Sequence, residues 1–229
     1  MLKHLACIMD GNRRWAMSQG LLPTDGHRKG FDIIKTIIDF CFEKKIDHLS
    51  LYTFSIENLK RSTEEVYYLF EILAYEVVDD LTELKQKNVN ITFIGDRTLF
   101  PKNIKILCEK VEKETYHCNG LYLHILLCYG GRQEIVDTAR RIAIKVKKGD
   151  LQESDITIDV FERFLWTTGI SHPDLIIRTG GDHRLSNFLL FQAAYSELYF
   201  LDCLWPEISK KELESAVTYF DNCRKTFGQ

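Results

Sequence analysis

Four prolines are scattered over 229 residues, and no proline-rich linker, low-complexity stretch or internal repeat divides the chain. No apolar run approaches the roughly 18–20 residues of a membrane span. Residues 1–7 are too few and too interrupted by Lys3 and His4 for a signal peptide. The seven cysteines, Cys7, Cys41, Cys108, Cys118, Cys128, Cys203 and Cys223, are odd in number and contain no Cys-x-x-Cys pair. That argues against a disulfide framework or zinc ribbon and for reduced, mostly buried thiols in a cytoplasmic protein. Positive charge is not in excess: 30 Lys and Arg against 33 Asp and Glu leave a net charge of −3. A globally basic nucleic-acid binder is therefore disfavoured. Neither G-x-x-x-x-G-K-[ST] nor G-x-G-x-x-G occurs, which removes the Walker and dinucleotide fingerprints.

What is present is a globular composition, 45% hydrophobic and 28% charged, on a chain long enough to bury its own core. Short apolar, β-branched runs alternate with helical patterns. Strands are expected over residues 4–9, 48–54, 90–94, 121–129, 174–178 and 197–201, and helices over 26–44, 63–87, 101–118, 131–148, 158–168 and 210–220. Ser62 with Glu65 and Ser209 with Glu212 read as capping boxes, and Pro101 suits a first helical turn. The alternation implies an α/β fold, a single domain over residues 1–229 with a mostly parallel central sheet and helices on both faces.

Polar residues gather behind the strands. Asp10-Gly11-Asn12-Arg13-Arg14-Trp15 follows the first strand and Ser55-Ile56-Glu57-Asn58-Leu59-Lys60-Arg61 the second. The third ends in Gly95-Asp96-Arg97, the fourth in Tyr129-Gly130-Gly131-Arg132, and the fifth in Arg178-Thr179-Gly180-Gly181-Asp182-His183-Arg184-Leu185-Ser186-Asn187. In a parallel sheet these ends share one edge, where open α/β sheets bind ligands. Ordinary turn chemistry accounts for the glycines, whereas repeated arginine at one edge suits a phosphorylated anion. Gly11 permits close backbone approach, and first-turn N–H groups point at an anion there. Asp10 would repel phosphate. It reads either as a helix N-cap or as a ligand of magnesium, for which carboxylate and diphosphate oxygens are both hard donors.

The stretch Ile8-Met9-Asp10-Gly11-Asn12-Arg13-Arg14-Trp15-Ala16 resembles the opening motif of the cis-prenyltransferases, the undecaprenyl diphosphate synthase-like isoprenyl transferases. The likeness continues in Gly26-His27-Arg28-Lys29-Gly30, Tyr52-Thr53-Phe54-Ser55-Ile56-Glu57-Asn58 and Tyr129-Gly130-Gly131-Arg132. It runs on through Ile177-Arg178-Thr179-Gly180-Gly181, Arg184-Leu185-Ser186-Asn187, Glu197-Leu198-Tyr199-Phe200 and Leu204-Trp205-Pro206. The blocks keep the family's order over nearly the whole chain.

The resemblance implies a cis-prenyltransferase fold with a hydrophobic tunnel. The implied reaction condenses isopentenyl diphosphate onto an allylic diphosphate, usually farnesyl diphosphate, with magnesium and with release of diphosphate. The product would be a long-chain cis-polyprenyl diphosphate such as undecaprenyl diphosphate, a cell-wall lipid carrier. The family pattern also implies a homodimer in the cytoplasm, with peripheral contact at the inner face of the membrane for product release, and no nucleic-acid partner. Carried over residue by residue, Asp10 and Asn58 are the catalytic positions. Gly11, Asn12, Arg13 and Arg14, with His27 and Arg61, fall to the allylic side. Arg178, Arg184 and Ser186 fall to the isopentenyl side, and Trp15, Ser55, Ile56, Glu57, His183 and Leu185 also contact substrate. Asp10 and Glu197 are the metal-associated carboxylates, with Glu197 supplied by a neighbouring subunit. An amide is a poor general base, so Asn58 reads as an orienting group working with Ser55. Glu65 matches a family glutamate that the capping box explains equally well.

The segment 63–87 is apolar over a broad arc that includes Val66, Leu69, Phe70, Leu73, Ala74, Val77, Leu81 and Leu84. It reads as core, as tunnel wall, or as both, and Leu121, Leu123 and Ile125 are further lining candidates. Four positions depart from the bacterial pattern: Arg13, Pro23, Leu59 and Cys128. Two rivals remain. Asp79-Asp80-Leu81-Thr82-Glu83 superficially resembles an aspartate-rich motif of all-helical trans-prenyl synthases, against which the strand–helix alternation argues. A non-catalytic subunit of the family would lack the Asp10-type carboxylate, which is present here.

Overall fold

A computed structural model describes residues 1–223, with the side chains of all of them except 73–76. Leu73 and Ala74 of the expected apolar arc thus lie outside the described side chains. In chain order the elements are β1 (His4–Ile8), α1 (Asn12–Ser18), α2 (Pro23–Lys44), β2 (His48–Ser55), α3 (Thr63–Gln86), β3 (Val89–Ile94) and α4 (Lys102–Thr115). They continue with β4 (Leu121–Tyr129), α5 (Gly131–Lys147), α6 (Ile158–Glu162), β5 (Leu175–Arg178), β6 (Glu197–Phe200) and α7 (Lys210–Asn222).

The strands form one six-stranded sheet in the order β3-β4-β2-β1-β5-β6. Every pairing is parallel, not merely most of them. No tight hairpin joins consecutive strands, and each connection is a long crossover, as parallel neighbours require. β1 lies in the middle. The chain first builds outward from it through β2 and then returns to its other side with β5, so the order reverses between β1 and β5.

Alternate strand residues face opposite ways. Leu5, Cys7, Leu49, Leu51, Ile91, Leu123, Ile125 and Ile177 join the larger core with Ile37, Ile38 and Phe40 of α2, Phe70 and Leu81 of α3, Val111 of α4 and Leu213 of α7. Ala6, Ile8, Tyr52, Leu126 and Ile176 face the other way, towards Phe188 and Leu189. On that side the buried Glu134 carboxylate of α5 accepts hydrogen bonds from Tyr129 Oη at 2.5 Å, Gln192 Nε2 at 2.9 Å and the Thr167 N–H and hydroxyl at 3.1 and 3.2 Å. All seven cysteines are free thiols, and all but Cys203 and Cys223 are buried.

Several local expectations need correction. The helix expected over 158–168 stops at Glu162, because Thr167 is spent on Glu134 and Gly169 turns the chain at φ +80°. The 26–44 helix starts earlier, at Pro23, whose fixed φ suits the first turn. Ser209 and Glu212 make their capping box, but Ser62 and Glu65 make only half of one. Ser62 Oγ accepts the Glu65 N–H, while the Glu65 carboxylate turns to arginines. Cys128 sits buried at φ +48°, a conformation that asparagine tolerates more readily than cysteine.

Three histidines share the second face of the sheet. His4 Nε2 meets Ser50 Oγ at 2.8 Å and its Nδ1 meets the Ser171 carbonyl at 2.6 Å. His48 Nδ1 lies 3.1 Å from His124 Nε2, and Thr92 Oγ1 lies 2.7 Å from His124 Nδ1. Burial pulls His4 down to about 4, with His48 opposing its charge further. His48 is lowered by burial, and His124 is held well below its ordinary value by burial and by both neighbours. Above pH 6.5 these rings are neutral whether the chain is folded or not. As pH falls below 6.5 the unfolded chain takes up protons first, so stability is lost progressively down to about pH 4. The shift at His4 alone corresponds to about 3 kcal/mol. Urea unfolding at pH 7.5 and 4.5 should show the loss, and His4→Gln should flatten the pH slope between 6.5 and 4. An unchanged slope in that variant would count against the assignment.

Candidate active site

The loops after β1 and β5 emerge side by side at the strand-order reversal, the position where open parallel sheets bind ligands. Asp10 follows β1. Its backbone carbonyl accepts Thr179 Oγ1 at 2.7 Å and the Trp205 N–H at 3.0 Å. It is not the helix N-cap. Gly11 is, at φ +111°. The Asp10 carboxylate reaches across the reversal, taking Arg178 Nη2 on Oδ2 at 2.8 Å and Arg14 Nη2 on Oδ1 at 3.2 Å. Arg14 also donates to the Gly180 carbonyl at 2.8 Å, and a Cβ on Gly180 would stand 2.4 Å from Arg14 Nη2. Only glycine admits this approach.

Arg178 is 3% exposed. Besides Asp10 it donates to Ser186 Oγ at 2.7 Å and to the Arg184 carbonyl. The segment bearing Ser186 holds left-handed backbone at Ser186, Asn187 and Leu189. Asn187 fastens it: its carbonyl and Oδ1 accept the N–H groups of Gly131 and Arg132, and its Nδ2 donates to Glu57 Oε1 at 2.8 Å. Arg184 is exposed and forks onto Asp182 with two bonds of 2.7 Å. The same arginine keeps the Asp182 carboxyl below its usual range. Leu185 packs inward, whereas His183 stacks on Phe200 with ring centroids 4.8 Å apart.

On the other side of Asp10, Arg13 and Arg61 converge on Glu65, at 3.3 and 2.9 Å. Sequence reasoning passed over this glutamate because half its signal matched a cap. Asn58 and Ser55 are brought together, with Asn58 Oδ1 accepting the Ser55 N–H at 3.0 Å in the tight turn that Ile56 opens. Trp15 is half-buried on α1. Asn12 and His27 line a cavity of about 40 Å³ beneath the rim, with Met9, Gly30, Thr53 and Trp205. Burial, with Arg61 and Arg13 nearby, brings His27 down to about 4, so it is neutral at pH 7. His27 Nε2, Asn12 Oδ1 and Arg178 Nε are buried without hydrogen-bond partners. Such atoms are rare in folded proteins, and three of the four among the described residues lie around this cleft, the fourth being Gln192 Oε1.

Glu197 is the exception. It begins β6 and pairs with Leu175, at the opposite end of the strands from Asp10. It does not join Asp10 within one chain. Among the described residues no group of three or more His, Cys, Asp or Glu side chains is arranged to hold a metal ion. The donor set that remains, one carboxylate beside an arginine-lined anion cleft, fits magnesium held by Asp10 and phosphate oxygens, the usual arrangement for that ion.

A parallel sheet with two arginine clusters flanking one carboxylate at its reversal point is suited to holding phosphorylated anions. The chain belongs to the undecaprenyl diphosphate synthase family of prenyltransferases, whose model matches residues 8–228. It is 40% identical over 227 residues to the farnesyl-diphosphate-specific ditrans,polycis-undecaprenyl-diphosphate synthase of Legionella pneumophila strain Paris, covering 99% of this chain and 95% of that one. It is 41% identical to the isoprenyl transferase of Clostridium perfringens strain 13, covering 100% and 90%. Among solved structures, lavandulyl diphosphate synthase from Lavandula x intermedia, in complex with dimethylallyl diphosphate, superposes with a TM-score of 0.96 at 34% identity. That match covers 100% of this chain and 98% of the other.

Removing the Asp10 carboxylate takes from buried Arg178 its nearer negative partner and leaves it only Asp182, at 3.5 Å. Asp10→Ala should fold, yet lose on the order of 2 kcal/mol, the range for stranding a charged partner after discounting for the exposure of Asp10. Inorganic diphosphate should restore more stability to this variant than to the wild type. Denaturant melts with and without the anion test this, and an equal response in both proteins would refute it.

Proposed function

We propose that this chain condenses isopentenyl diphosphate with an allylic diphosphate, farnesyl diphosphate in the first instance, to make a long-chain cis-polyprenyl diphosphate of the undecaprenyl class. The observation that carries this reading is the Asp10–Arg178 contact, which joins two arginine-bearing loops into one cleft at the sheet's reversal point. The full-length similarity to synthases of that product supports it.

Two diphosphates held side by side need two cationic cradles. The turn of Gly11, Asn12, Arg13 and Arg14, with His27 and Arg61, takes the allylic diphosphate. Arg178, Arg184 and Ser186 take isopentenyl diphosphate, with His183 and Leu185 shaping its loop. Each arginine is already oriented by a carboxylate, so little ordering remains to be done when an anion arrives. His27 offers a ring N–H to a phosphate oxygen. As the allylic C–O bond breaks, negative charge grows on the departing diphosphate, and Arg14 and the α1 N-terminus lie where that charge develops. Magnesium, carried by Asp10 and phosphate oxygens, would neutralise the leaving group. The isopentenyl double bond then attacks the allylic carbon, and loss of a proton restores a double bond. Asn58, fixed by the Ser55 N–H, orients that step, with a diphosphate oxygen or water receiving the proton. Ile56, Glu57 and Trp15 complete the wall around the substrates.

The assay that tests the reading is incorporation of labelled isopentenyl diphosphate by the purified chain alone. Asp10→Ala should lower kcat far more than it raises KM, and a chelator should abolish turnover until magnesium is returned. Near-normal kcat in the variant, or full activity after chelation, would overturn the role of Asp10. Incorporation only after a second protein is added would favour a non-catalytic subunit.

The working unit is a homodimer. Glu197 is remote from Asp10 in its own chain, and a second copy is the route by which it could serve as the other metal-associated carboxylate. In the 186–204 segment, Phe188 and Leu189 are core, whereas Tyr195 is 85% exposed and β6 is half-buried along its length. That segment remains the contact favoured here. No helix among the described residues is long and apolar enough to cross a membrane; a cytoplasmic enzyme touching the inner membrane face to release its lipid fits the proposed product. Sedimentation at micromolar concentration should give a dimer, and Tyr195→Asp should shift it towards a less active monomer. A fully active wild-type monomer would dismiss this arrangement.

A further inference from the structure

The cavity beneath the rim does not end there. A second cavity of about 40 Å³ lies farther along the same face of the sheet, and the two share Phe31, Ile34 and Thr53 as lining. Together they trace an apolar seam between the sheet and helices α2 and α3. It starts at His27 and Asn12 and runs to Leu84, Ile91 and Leu123. Both cavities are narrow, about 40 Å³ each. A prenyl tail therefore enters only as α2 and α3 yield.

The outer rim of the seam is not apolar. Lys35 of α2 and Asp80 of α3 both line the second cavity and make an ion pair at 2.6 Å, with side chains 44% and 23% exposed. One turn further along α2, Asp39 pairs with Lys87, just past the end of α3, at 2.7 Å, and neither of these residues lines the cavity. Residues four apart share a helix face, so the two pairs form a short ladder along the seam.

We infer that the Lys35–Asp80 pair determines product length by placing charge on the outer rim of the second cavity. The inference rests on the prenyltransferase reading above. Burying one isoprenyl unit of five carbons is strongly favourable. A part-exposed ion pair contributes little to stability as it stands. The growing tail easily spreads the apolar part of the seam. When it reaches Lys35 and Asp80 it strips water from both charges and offers no polar partner in return, an unfavourable exchange. Growth then stalls, or the tail leaves between the helices. Either way the pair sets a threshold that apolar side chains would not.

The test uses the full chain with farnesyl diphosphate and excess isopentenyl diphosphate, and reads the product ladder by mass spectrometry. Three proteins are compared with wild type: the double variant Lys35→Met with Asp80→Leu, the single variant Asp80→Asn, and Lys87→Gln as the pair outside the cavity. The rate of the first condensation and the urea midpoint are measured for each. The expected result is a ladder shifted up by at least one isoprene unit in the double variant and a smaller shift in Asp80→Asn. Lys87→Gln should match wild type, and the first-condensation rate should stay within about twofold throughout. The same ladder in all four folded proteins would overturn the length-setting role while leaving the prenyltransferase reading intact. An equal shift in Lys87→Gln would overturn it too, by making general helix loosening the cause. A wild-type chain that makes no prenyl product would instead overturn the functional reading.

Discussion

The contact between Asp10 and Arg178 joins the two halves of this protein. Residues 168 apart in the chain meet at 2.8 Å because β1 and β5 are neighbours in the sheet while the chain's direction of building reverses between them. Arg178 is too deeply buried to be tolerated without a carboxylate, and the Asp10 loop is held by Thr179 and Trp205 from the other half. The turn into α1, the close approach of Gly180 to Arg14 and the placement of Ser186 all follow from that one pairing.

The rest of the cleft repeats the same electrostatic device. Glu65 takes Arg13 and Arg61, and Asp182 takes Arg184. An anion site made of loose arginines would have to order several long side chains on binding. Here each guanidinium already has a carboxylate that holds it in the cleft, and a diphosphate need only outcompete that carboxylate. The unpartnered atoms of His27, Asn12 and Arg178 supply hydrogen-bonding capacity that the protein alone leaves unused.

The sheet was legible because each strand is a short, mostly apolar run bounded by turn residues, and all six were expected within a residue of their observed ends. The arginine-rich rim was legible because parallel strands place their C-terminal ends together. Contacts between distant side chains were not legible. Glu65 looked like a cap because local spacing cannot show that Arg13 would come within reach. Asp80 stood only in a superficially aspartate-rich stretch, since its partner Lys35 is 45 positions away. Nothing in the spacing of His4, His48 and His124 announces a cluster; only the register of β1 on β2 and β2 on β4 assembles it. Asn187 stood in a quoted motif, yet its work on Gly131, Arg132 and Glu57 depends on three left-handed residues that no pattern of residue types specifies.

The central position of β1 also has a consequence for biosynthesis. A chain made at about 5–20 residues per second presents Asp10 roughly 8–34 seconds before Arg178, given their separation of 168 residues. Once β2 is made, β1 has it on one side and an open edge on the other, along a strand that is buried at every position in the finished sheet. Such an edge invites wrong pairing until β5 is made. The nascent chain is thus most vulnerable to aggregation late in its synthesis. Truncation before residue 175 would leave an exposed apolar strand edge, not a smaller working protein.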